Sequence, residues 1–383
     1  MKAWRGPPPI PDLALPGATN FPHVSLFTGR RLERALASKQ FRDGTFRNTS
    51  GVGPDLERPS LSVMTEFFFG GRSRVPHGPL PVESPIATWA TPVSSSGLRV
   101  TWLGHSALLL ECDGVRVLTD PMFGKRASPV PFVGPKRFHP VPVTIAALPR
   151  LDAVLMSHDH HDHLNPSTIR ALAKLHVPFV TSLGVGARLE PLGVDAGLIT
   201  ELDWWEEHAL PGGALSFTAT PAQHFSGRGF TDRNATLWSS WVLSTAKRRL
   251  FFSGDTGLTT ALATIGERLG PFDLSMIEIG AAHRAWADIH LGPARALEAF
   301  DMLGRGTLLP IHWGTFDLAL HKWDEPAETL LSLAARTGAR VITPPLGRAI
   351  EPVQVEGPTP WWRVVHGATA RDVHAATNPL FAD

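Results

Sequence analysis

The sequence is nearly free of cysteine and lacks tyrosine: Cys112 is the single cysteine among 383 residues, and there are no tyrosines. One cysteine excludes an internal disulfide framework and any cysteine-built zinc finger. The absence of tyrosine excludes a mechanism that uses a tyrosine acid or oxyanion donor. An excess of charge of one sign is also lacking, since 36 Lys and Arg balance 35 Asp and Glu for a net charge of +1. No bulk electrostatic attraction to nucleic acid or to an anionic bilayer is therefore expected.

Long apolar runs are missing as well. No segment approaches the roughly 18–20 apolar residues that span a bilayer. Prolines interrupt the N-terminal sequence MKAWRGPPPIPDLALPG before a stretch of signal-peptide length can form. We therefore expect a cytoplasmic protein, with peripheral membrane contact as a variant of that location. The 17 histidines make metal binding by imidazole and carboxylate the first function to test.

The composition changes along the chain and predicts three regions. Residues 1–97 are rich in Pro, Gly, Ser and Arg, which predicts an irregular N-terminal extension. Across residues 98–352, short strand-like apolar runs alternate with helix-like runs, a pattern typical of a layered α/β domain. Residues 353–383 are polar and rich in alanine, which predicts a C-terminal tail on the surface.

The strongest signal for function is the segment Ser157–Leu164, which reads SHDHHDHL. It follows the strand candidate Leu151–Met156 and precedes the helix candidate Pro166–Leu175, for which Asn165 is the expected N-cap. The segment therefore occupies a loop at the carboxyl end of a buried strand. Crowded imidazoles and carboxylates beside a core are costly unless a cation organises them.

The spacing within this segment suggests two ions. His158 and His160 can reach one ion, and Asp162 and His163 can reach a second. Two ionisable neighbours alternate with these ligands and are expected to lie outside the ligand set: Asp159 and His161.

Three further polar residues each follow a strand candidate. They are His224 after Leu215–Ala219, Asp255 after Leu250–Phe252, and His312 after Leu308–Ile311. Ligand sites of α/β proteins gather at the carboxyl ends of strands. We therefore expect these residues at the same edge of the sheet system as the histidine-rich segment.

The motif His158-x-His160-x-Asp162-His163, with His224, Asp255 and His312 in order, resembles the two-metal signature of the metallo-β-lactamase-fold superfamily. Within it, the chain is similar to N-acyl-phosphatidylethanolamine-hydrolysing phospholipase D and its bacterial relatives. The blocks that carry this likeness are TWLGHS (101–106), DPMF (120–123), RASP (126–129), VGPKRF (133–138), ELDWWEE (201–207), SGDTG (253–257), RLGPFDL (268–274) and PIHWGTF (310–316).

The resemblance implies a four-layer αβ/βα metallo-β-lactamase sandwich and two Zn²⁺ ions, a role that other divalent metals could also fill. It implies that one ion is held by His158, His160 and His224. It implies that the other is held by Asp162, His163 and His312. Asp255 would bridge the two, with a nucleophilic hydroxide between them. The residues assigned to catalysis on this basis are Asp162, Asp255 and His290.

Three residues outside the ligand set are candidates for supporting roles. His290 could contact the substrate phosphate or deliver a proton to the leaving oxygen, and a purely structural hydrogen bond is the alternative. His105 could line the substrate site. Asp120 could support a ligand histidine or cap a turn.

The chain departs from the family pattern just after His290. Ala294 and Arg295 stand where the family has two glutamates, and the preceding segment 280–286 is shorter. In the family, this region lines part of the substrate pocket. The substrate of this chain can therefore differ from that of the family.

The function expected from the resemblance is a zinc-dependent phosphodiesterase of phospholipase D type. Its substrate would be an N-acyl phosphatidylethanolamine-like lipid or a small-molecule phosphodiester. A lactonase or other ester hydrolase of the same fold, and a non-catalytic metal-binding protein, are the alternatives. No nucleic-acid partner is expected, because the longest basic cluster is only Lys247–Arg249. The oligomeric state stays open, with a homodimer as one option.

Overall fold

Two β-sheets form the centre of the molecule. The computed structural model describes residues 26–49, 65, 71–130, 132–283 and 288–367. The strands of the first sheet are β3 (Leu98–Gly104), β4 (Ala107–Cys112), β5 (Val115–Thr119), β6 (Ala153–Met156), β7 (Phe179–Ser182), β8 (Ile199–Leu202) and β15 (Ala349–Ile350). They lie in the order β15-β3-β4-β5-β6-β7-β8.

The second sheet has six strands. They are β9 (Glu207–Ala209), β10 (Ser216–Thr220), β11 (Ser240–Ser244), β12 (Arg249–Phe252), β13 (Leu274–Glu278) and β14 (Leu308–Ile311). Their order is β14-β13-β12-β11-β10-β9, in which β12, β13 and β14 are parallel neighbours. In the first sheet, β5 to β8 are also parallel. The carboxyl ends of these strands therefore meet at shared edges, as the sequence predicted for the polar segments that follow them.

Helices cover the outer faces of both sheets. The helices are α1 (Gly29–Ala37), α2 (Ile86–Trp89), α3 (Pro166–Ala173), α4 (Gly186–Leu189), α5 (Ala261–Leu269), α6 (Gly292–Met302) and α7 (Glu325–Thr337). Apolar residues of α2, α3 and α4 pack against the first sheet. Those of α5, α6 and α7 belong to the cluster that also fills the space between the sheets. The predicted four-layer αβ/βα sandwich is therefore confirmed.

The capping residues explain where α3 lies. Asn165 precedes the helix in an extended conformation, and its side chain accepts a hydrogen bond from the Thr168 N–H at 3.1 Å. Pro166 then occupies the first turn, where a missing N–H costs nothing. The predicted cap is confirmed, and it fixes the end of the histidine-rich loop.

Segments outside residues 98–352 also pack into the core. Phe27 and Phe46, from the described part of the extension, join a cluster with Trp238. Phe46 lies in a hairpin of β1 (Phe41–Arg42) and β2 (Thr45–Phe46). At the other end, Trp361 and Trp362 are buried rather than spread over the surface, and Trp313 packs tilted against the first ring and edge-on against the second.

The division into extension, hydrolase domain and tail stays a prediction. Residues 1–25, 50–64, 66–70 and 368–383 of the two flanking regions lie outside the described residues. Within the described ranges, no helix combines the length and apolar character needed to cross a bilayer.

Candidate metal centre

Asp120, the residue after β5, anchors the histidine-rich loop. One Asp120 oxygen accepts the Ser157 N–H at 2.7 Å, and the other accepts the Ser157 hydroxyl at 2.6 Å. The second oxygen also lies 2.7 Å from Nδ1 of His163. Asp120 is completely buried. It therefore holds the loop and orients a histidine, the first of the two roles considered from the sequence.

A first donor group combines three imidazoles with Asp255. His158 Nε2 lies 2.9 Å from His160 Nδ1, and His224 Nε2 lies 3.2 Å from the same atom. Oδ2 of Asp255 lies 3.8 Å from His158 Nε2 and 3.7 Å from His224 Nε2. These four residues form one of the groups with donor atoms close enough to share an ion.

A second donor group surrounds Asp162. Oδ2 of Asp162 lies 3.3 Å from His312 Nε2 and 3.5 Å from His163 Nε2. His105 Nε2 lies 2.9 Å from the same oxygen, so this histidine joins the group. The His105 ring is only 1% exposed, and it contacts a candidate ligand rather than an open cavity. Its predicted substrate contact stays a prediction.

Asp255 connects the two groups. Its Oδ2 lies 3.1 Å from His163 Nε2 and 3.2 Å from His312 Nε2, in addition to its contacts in the first group. Its Oδ1 is buried and has no hydrogen-bond partner among the described residues. Donor atoms on one tetrahedral zinc are separated by about 3.3 Å, given metal–nitrogen bonds of about 2.0 Å. The observed spacings and the orphaned oxygen fit a pair of cations that share Asp255.

Burial and charge set the ionisation of this cluster. Burial opposes the ionisation of Asp255, but His163 and His312 outweigh it and hold the pKa of this carboxyl well below its usual range. Burial likewise opposes protonation of His312, yet Asp255 and Asp162 raise its pKa to about 10. The pKa of His163 is also raised well above its usual value, because Asp255 and Asp162 outweigh burial. Without metal, two imidazolium groups thus neutralise two carboxylates, and divalent cations would replace their protons.

The two residues expected outside the ligand set support the loop from its outer side. Asp159 accepts hydrogen bonds from Arg188 Nε at 3.1 Å and from the Gly227 N–H at 2.9 Å. His161 Nε2 lies 2.9 Å from the backbone oxygen of Arg228. The contacts with Gly227 and Arg228 attach the loop to the segment around 227–232, and the contact with Arg188 attaches it to α4.

His290 stands at the edge of the centre. Its ring stacks on His312 at a centroid distance of 5.2 Å and lies 5.2 Å from the ring of His224. Its Nδ1 lies 2.6 Å from Oε2 of Glu278, and its side chain is 11% exposed. The ring also lines a cavity of about 670 Å³. The structural hydrogen bond considered from the sequence therefore exists, and the ring still reaches open space.

Two buried residues of the centre were not found from the sequence. Glu278, the last residue of β13, contacts both His290 and His312. A lone acid in the apolar strand Leu274–Glu278 was the signal that could have revealed it. Asn48, from the extension, pairs with both the N–H and the carbonyl oxygen of His224 at 3.0 Å. No sequence-spacing rule connects Asn48 with His224.

The segment 280–295, which departs from the family pattern, is only partly described. Residues 280–283 and 288–295 are present, and residues 284–287 of the shorter segment lie outside the described residues. The Arg295 guanidinium pairs with the Asp288 carboxylate. Arg295, His283 and His290 line the same cavity of about 670 Å³. The carboxylates Asp288 and Glu325 line it too, so the space beside the donor groups carries groups of both charges.

Comparisons with known proteins agree with this geometry. The family model described as "Beta-lactamase superfamily domain" matches residues 115–313. An uncharacterised protein of Mycobacterium tuberculosis is 44% identical over 333 residues, which cover 85% of this chain and 88% of that protein. The N-acyl-phosphatidylethanolamine-hydrolyzing phospholipase D 1 of Caenorhabditis elegans is 36% identical over 317 residues, covering 77% of this chain and 88% of the relative.

Solved structures share the fold. An isothiocyanate hydrolase from Delia radicum gut bacteria superposes with a TM-score of 0.53 at 20% identity, covering 66% of this chain and 98% of that one. Igni18, a metallo hydrolase of Ignicoccus hospitalis, gives a TM-score of 0.51 at 21% identity, with coverages of 66% and 97%. The chain belongs to the metallo-β-lactamase superfamily, as a hydrolase with relatives among the N-acyl-phosphatidylethanolamine-hydrolysing phospholipases D.

Proposed function

We propose that this protein is a binuclear zinc phosphodiesterase of phospholipase D type, acting on N-acyl phosphatidylethanolamine-like lipids. The observation that carries the proposal is the pair of donor groups that share Asp255. The Caenorhabditis elegans relative, whose name states this activity, supports the choice of substrate.

In this proposal, His158, His160 and His224 would hold one ion, Asp162, His163 and His312 would hold the other, and Asp255 would be shared by both. When bound, two divalent ions polarise a phosphoryl oxygen and lower the pKa of water toward neutrality. Around them, Asp120 fixes the His163 ring and His105 fixes Asp162, so the donors are preorganised before substrate arrives.

His290 is the proposed contact to the substrate. Its ring lies beside His224 and His312 and lines the adjacent cavity. A hydrogen bond from this ring to a phosphate oxygen, or a proton given to the leaving alcohol, would favour attack at phosphorus. The carboxylates Asp162 and Asp255 only partly neutralise two divalent ions, so the centre retains positive charge to match a phosphodiester anion.

Peripheral membrane contact from the cytoplasmic side is part of the proposal, since such a substrate lies in a bilayer. Phe132 is 75% exposed, and Phe230 is fully exposed. The loop that carries Phe230 contacts the histidine-rich loop, here called the ligand loop, through Gly227 and Arg228. An exposed phenylalanine on a loop that contacts the donor groups' loop, as Phe230 is, suits insertion into the membrane interface. Sedimentation with phosphatidylcholine vesicles should weaken in Phe230→Ser, and equal binding by both forms would remove this part of the proposal.

A substrate panel tests the proposed reaction. The zinc-loaded protein is assayed on N-acyl phosphatidylethanolamine in mixed micelles, an activated phosphodiester, the matching phosphomonoester and a set of lactones. We expect the phosphodiesters to be cleaved faster than the monoester, whose extra negative charge competes for both cations. Lactone turnover with no phosphodiester cleavage, at full metal content, would replace this proposal with the lactonase alternative.

A matched pair of variants assigns the activity to this centre. Asp255→Asn should be inactive on every substrate. Asp301→Asn makes the same chemical change on the surface of α6, where the carboxylate pairs with Arg305, and should behave as wild type. Equal rates for the two variants would mean that the measured activity does not depend on this centre.

A further inference from the structure

Three residues of the metal centre have a backbone conformation that is rare for residues with a side chain. The φ angles of Asp120, His105 and His312 are +29°, +56° and +62°, in the left-handed region that favours glycine. Asp120 leads into residues 121–124, here called the first turn, and His312 leads into residues 313–316, here called the second turn. Strained conformations persist only where surrounding contacts hold them. Because all three residues belong to the second donor group or contact it, the contacts of these turns set the geometry of that group.

Residues 136–139, here called the brace, hold the first turn. Nε of Arg137 donates to the carbonyl oxygen of Gly124 at 3.2 Å, and Nη2 of the same guanidinium donates to the carbonyl oxygen of Met122. Two backbone oxygens of one short turn are thus bound by one rigid, planar group. The brace therefore fixes the residues that directly follow Asp120.

The backbone of the brace reaches the second turn. The Phe138 N–H donates to the carbonyl oxygen of Thr315 at 2.9 Å. The Thr315 hydroxyl oxygen accepts the N–H of His105 at 2.8 Å, and the His105 carbonyl oxygen accepts the N–H of His312 at 3.1 Å. The strained conformations of both histidines are therefore held by a chain of hydrogen bonds that begins at the brace.

Arg137 is a buried cation with no carboxylate partner among the described residues. It is 8% exposed, its Nη1 has no hydrogen-bond partner in the described part of the chain, and burial lowers its pKa to about 9. Such a charge is costly unless nearby groups compensate it. The carbonyl oxygens of the first turn do so, as does the Phe316 ring of the second turn, whose centroid lies 4.8 Å from Cζ. Phe316 itself packs edge-on against the His105 ring at 5.2 Å. The guanidinium therefore contacts both turns.

We propose that Arg137 is a positioning residue, which fixes the first turn relative to the second turn and so preorganises the second donor group. This inference rests on the metal centre of the proposed function. The first turn follows Asp120, whose carboxylate orients His163. The second turn holds His105, whose Nε2 lies 2.9 Å from Oδ2 of Asp162. Arg137 acts on these donors through their neighbours and contacts none of them itself.

The direct test is Arg137→Met, which fills similar buried space but donates no hydrogen bond. We expect the affinity of the second donor group for zinc to fall roughly 10- to 100-fold, the scale for loss of a group that orients ligands. The affinity of the first group should change by less than about threefold, because Asn48 and the Ile289 carbonyl oxygen hold its His224. Competition with a chromophoric chelator measures both constants, and His158→Ala, which lacks a ligand of the first group, identifies the constant of the second. Wild-type affinity for both ions would overturn the proposal.

Arg99→Met is the matched control, because it removes another buried guanidinium. Arg99 pairs with Glu111 and lies near the start of β3, whereas His105 follows the other end of that strand. We expect Arg99→Met to lower the free energy of unfolding, measured by denaturant titration, and to keep the wild-type ratio of the two zinc affinities. The same selective loss of the second ion in both variants, or an equal loss of both ions in Arg137→Met, would mean that Arg137 supports only general stability. Either result would overturn the proposal.

Amide hydrogen exchange of the metal-free wild-type chain gives a readout that needs neither a variant nor a substrate. The N–H groups of Phe138 and His105 both donate to Thr315, and we expect them to exchange as slowly as the N–H groups of β3. Fast exchange of both groups that slows only on zinc addition would show that the metal holds the second turn, which would overturn the proposal. Failure of every phosphodiester substrate leaves these measurements unaffected. A wild type that binds no zinc would contradict the proposed function, and the exchange rates would still decide this inference.

Discussion

The carboxylate of Asp120 lies 2.7 Å from Nδ1 of His163 and turns the opposite nitrogen of that ring toward Asp255, 3.1 Å away. Asp120 also holds the backbone and the hydroxyl of Ser157, the first residue of the ligand loop. One side chain thus sets both the position of the loop and the orientation of a donor within it.

Asp120→Asn should therefore weaken metal binding without removing a ligand. The amide cannot accept from the Ser157 N–H, the Ser157 hydroxyl and His163 as two carboxylate oxygens do. We expect roughly 10- to 100-fold lower affinity for one ion, measured by competition with a chromophoric chelator. Asp301→Asn provides the control on the surface. Unchanged affinity for both ions would mean that the ligand loop keeps its geometry without Asp120.

His158→Ala and His312→Ala should each lose a different ion. The two residues belong to separate donor groups, so the group that does not contain the changed residue keeps all of its ligands. We expect each variant to retain about one metal per chain after mild dialysis, because the changed group loses one imidazole donor and binds its ion more weakly. Metal analysis of the dialysed proteins checks this. Retention of full metal content by both variants would remove these histidines from the ligand set.

Metal binding should release protons from His163 and His312. Burial lowers the pKa of each imidazole, but the carboxylates of Asp255 and Asp162 more than compensate and leave both raised. Both rings are therefore charged near neutral pH in the metal-free protein. We expect the release of about two protons per chain on zinc loading, measured by calorimetry in buffers of different ionisation enthalpy. Zinc binding without proton release would contradict this ionisation state.

The raised pKa of His312 also predicts how the stability of the metal-free protein depends on pH. The folded-state pKa of His312, about 10, lies above its ordinary value of 6.5. Its contribution to stability is therefore complete below pH 6.5 and is lost as the pH rises through about 10. The unfolding temperature of the metal-free protein should fall across this interval, whereas the zinc-loaded protein should change less. A rising unfolding temperature in the metal-free protein would contradict the assignment.

Asn48→Ala tests whether the extension supports the centre. Asn48 is buried, and its amide pairs with the N–H and carbonyl oxygen of His224 and with the indole N–H of Trp238. Its loss leaves buried groups unpaired at a cost of about 1–3 kcal/mol. We expect lower unfolding free energy and weaker binding of the ion at His224. Denaturant titration and metal analysis measure both. Wild-type values for both would show that the extension is separable from the hydrolase domain.

The sequence allowed the ligand loop to be predicted because its residues are adjacent and directly follow an apolar strand. The later candidates could be placed because β10, β12 and β14 each end immediately before a polar residue or turn. The cap at Asn165 followed from local chemistry alone. All of these signals lie within a few positions of one strand or helix.

The supporting contacts could not be predicted because they join distant parts of the chain. Asn48 and His224 are 176 positions apart, and no local pattern connects them. Glu278 looks like an ordinary strand residue until β13 is placed between β12 and β14. The burial of Trp361 and Trp362 could not be predicted from composition, because the segment that contains them is polar and rich in alanine on average. Tertiary packing decides these features.

The central claim is hydrolysis of a lipid phosphodiester at the donor groups that share Asp255. Mass spectrometry of the products formed from N-acyl phosphatidylethanolamine in ¹⁸O-labelled water tests it most directly. Attack of water at phosphorus breaks the bond to the head-group oxygen, so the account predicts phosphatidate with one labelled oxygen and unlabelled N-acylethanolamine. Asp255→Asn should form neither. Label in the N-acylethanolamine, or no cleavage by fully metal-loaded wild type, would contradict the account.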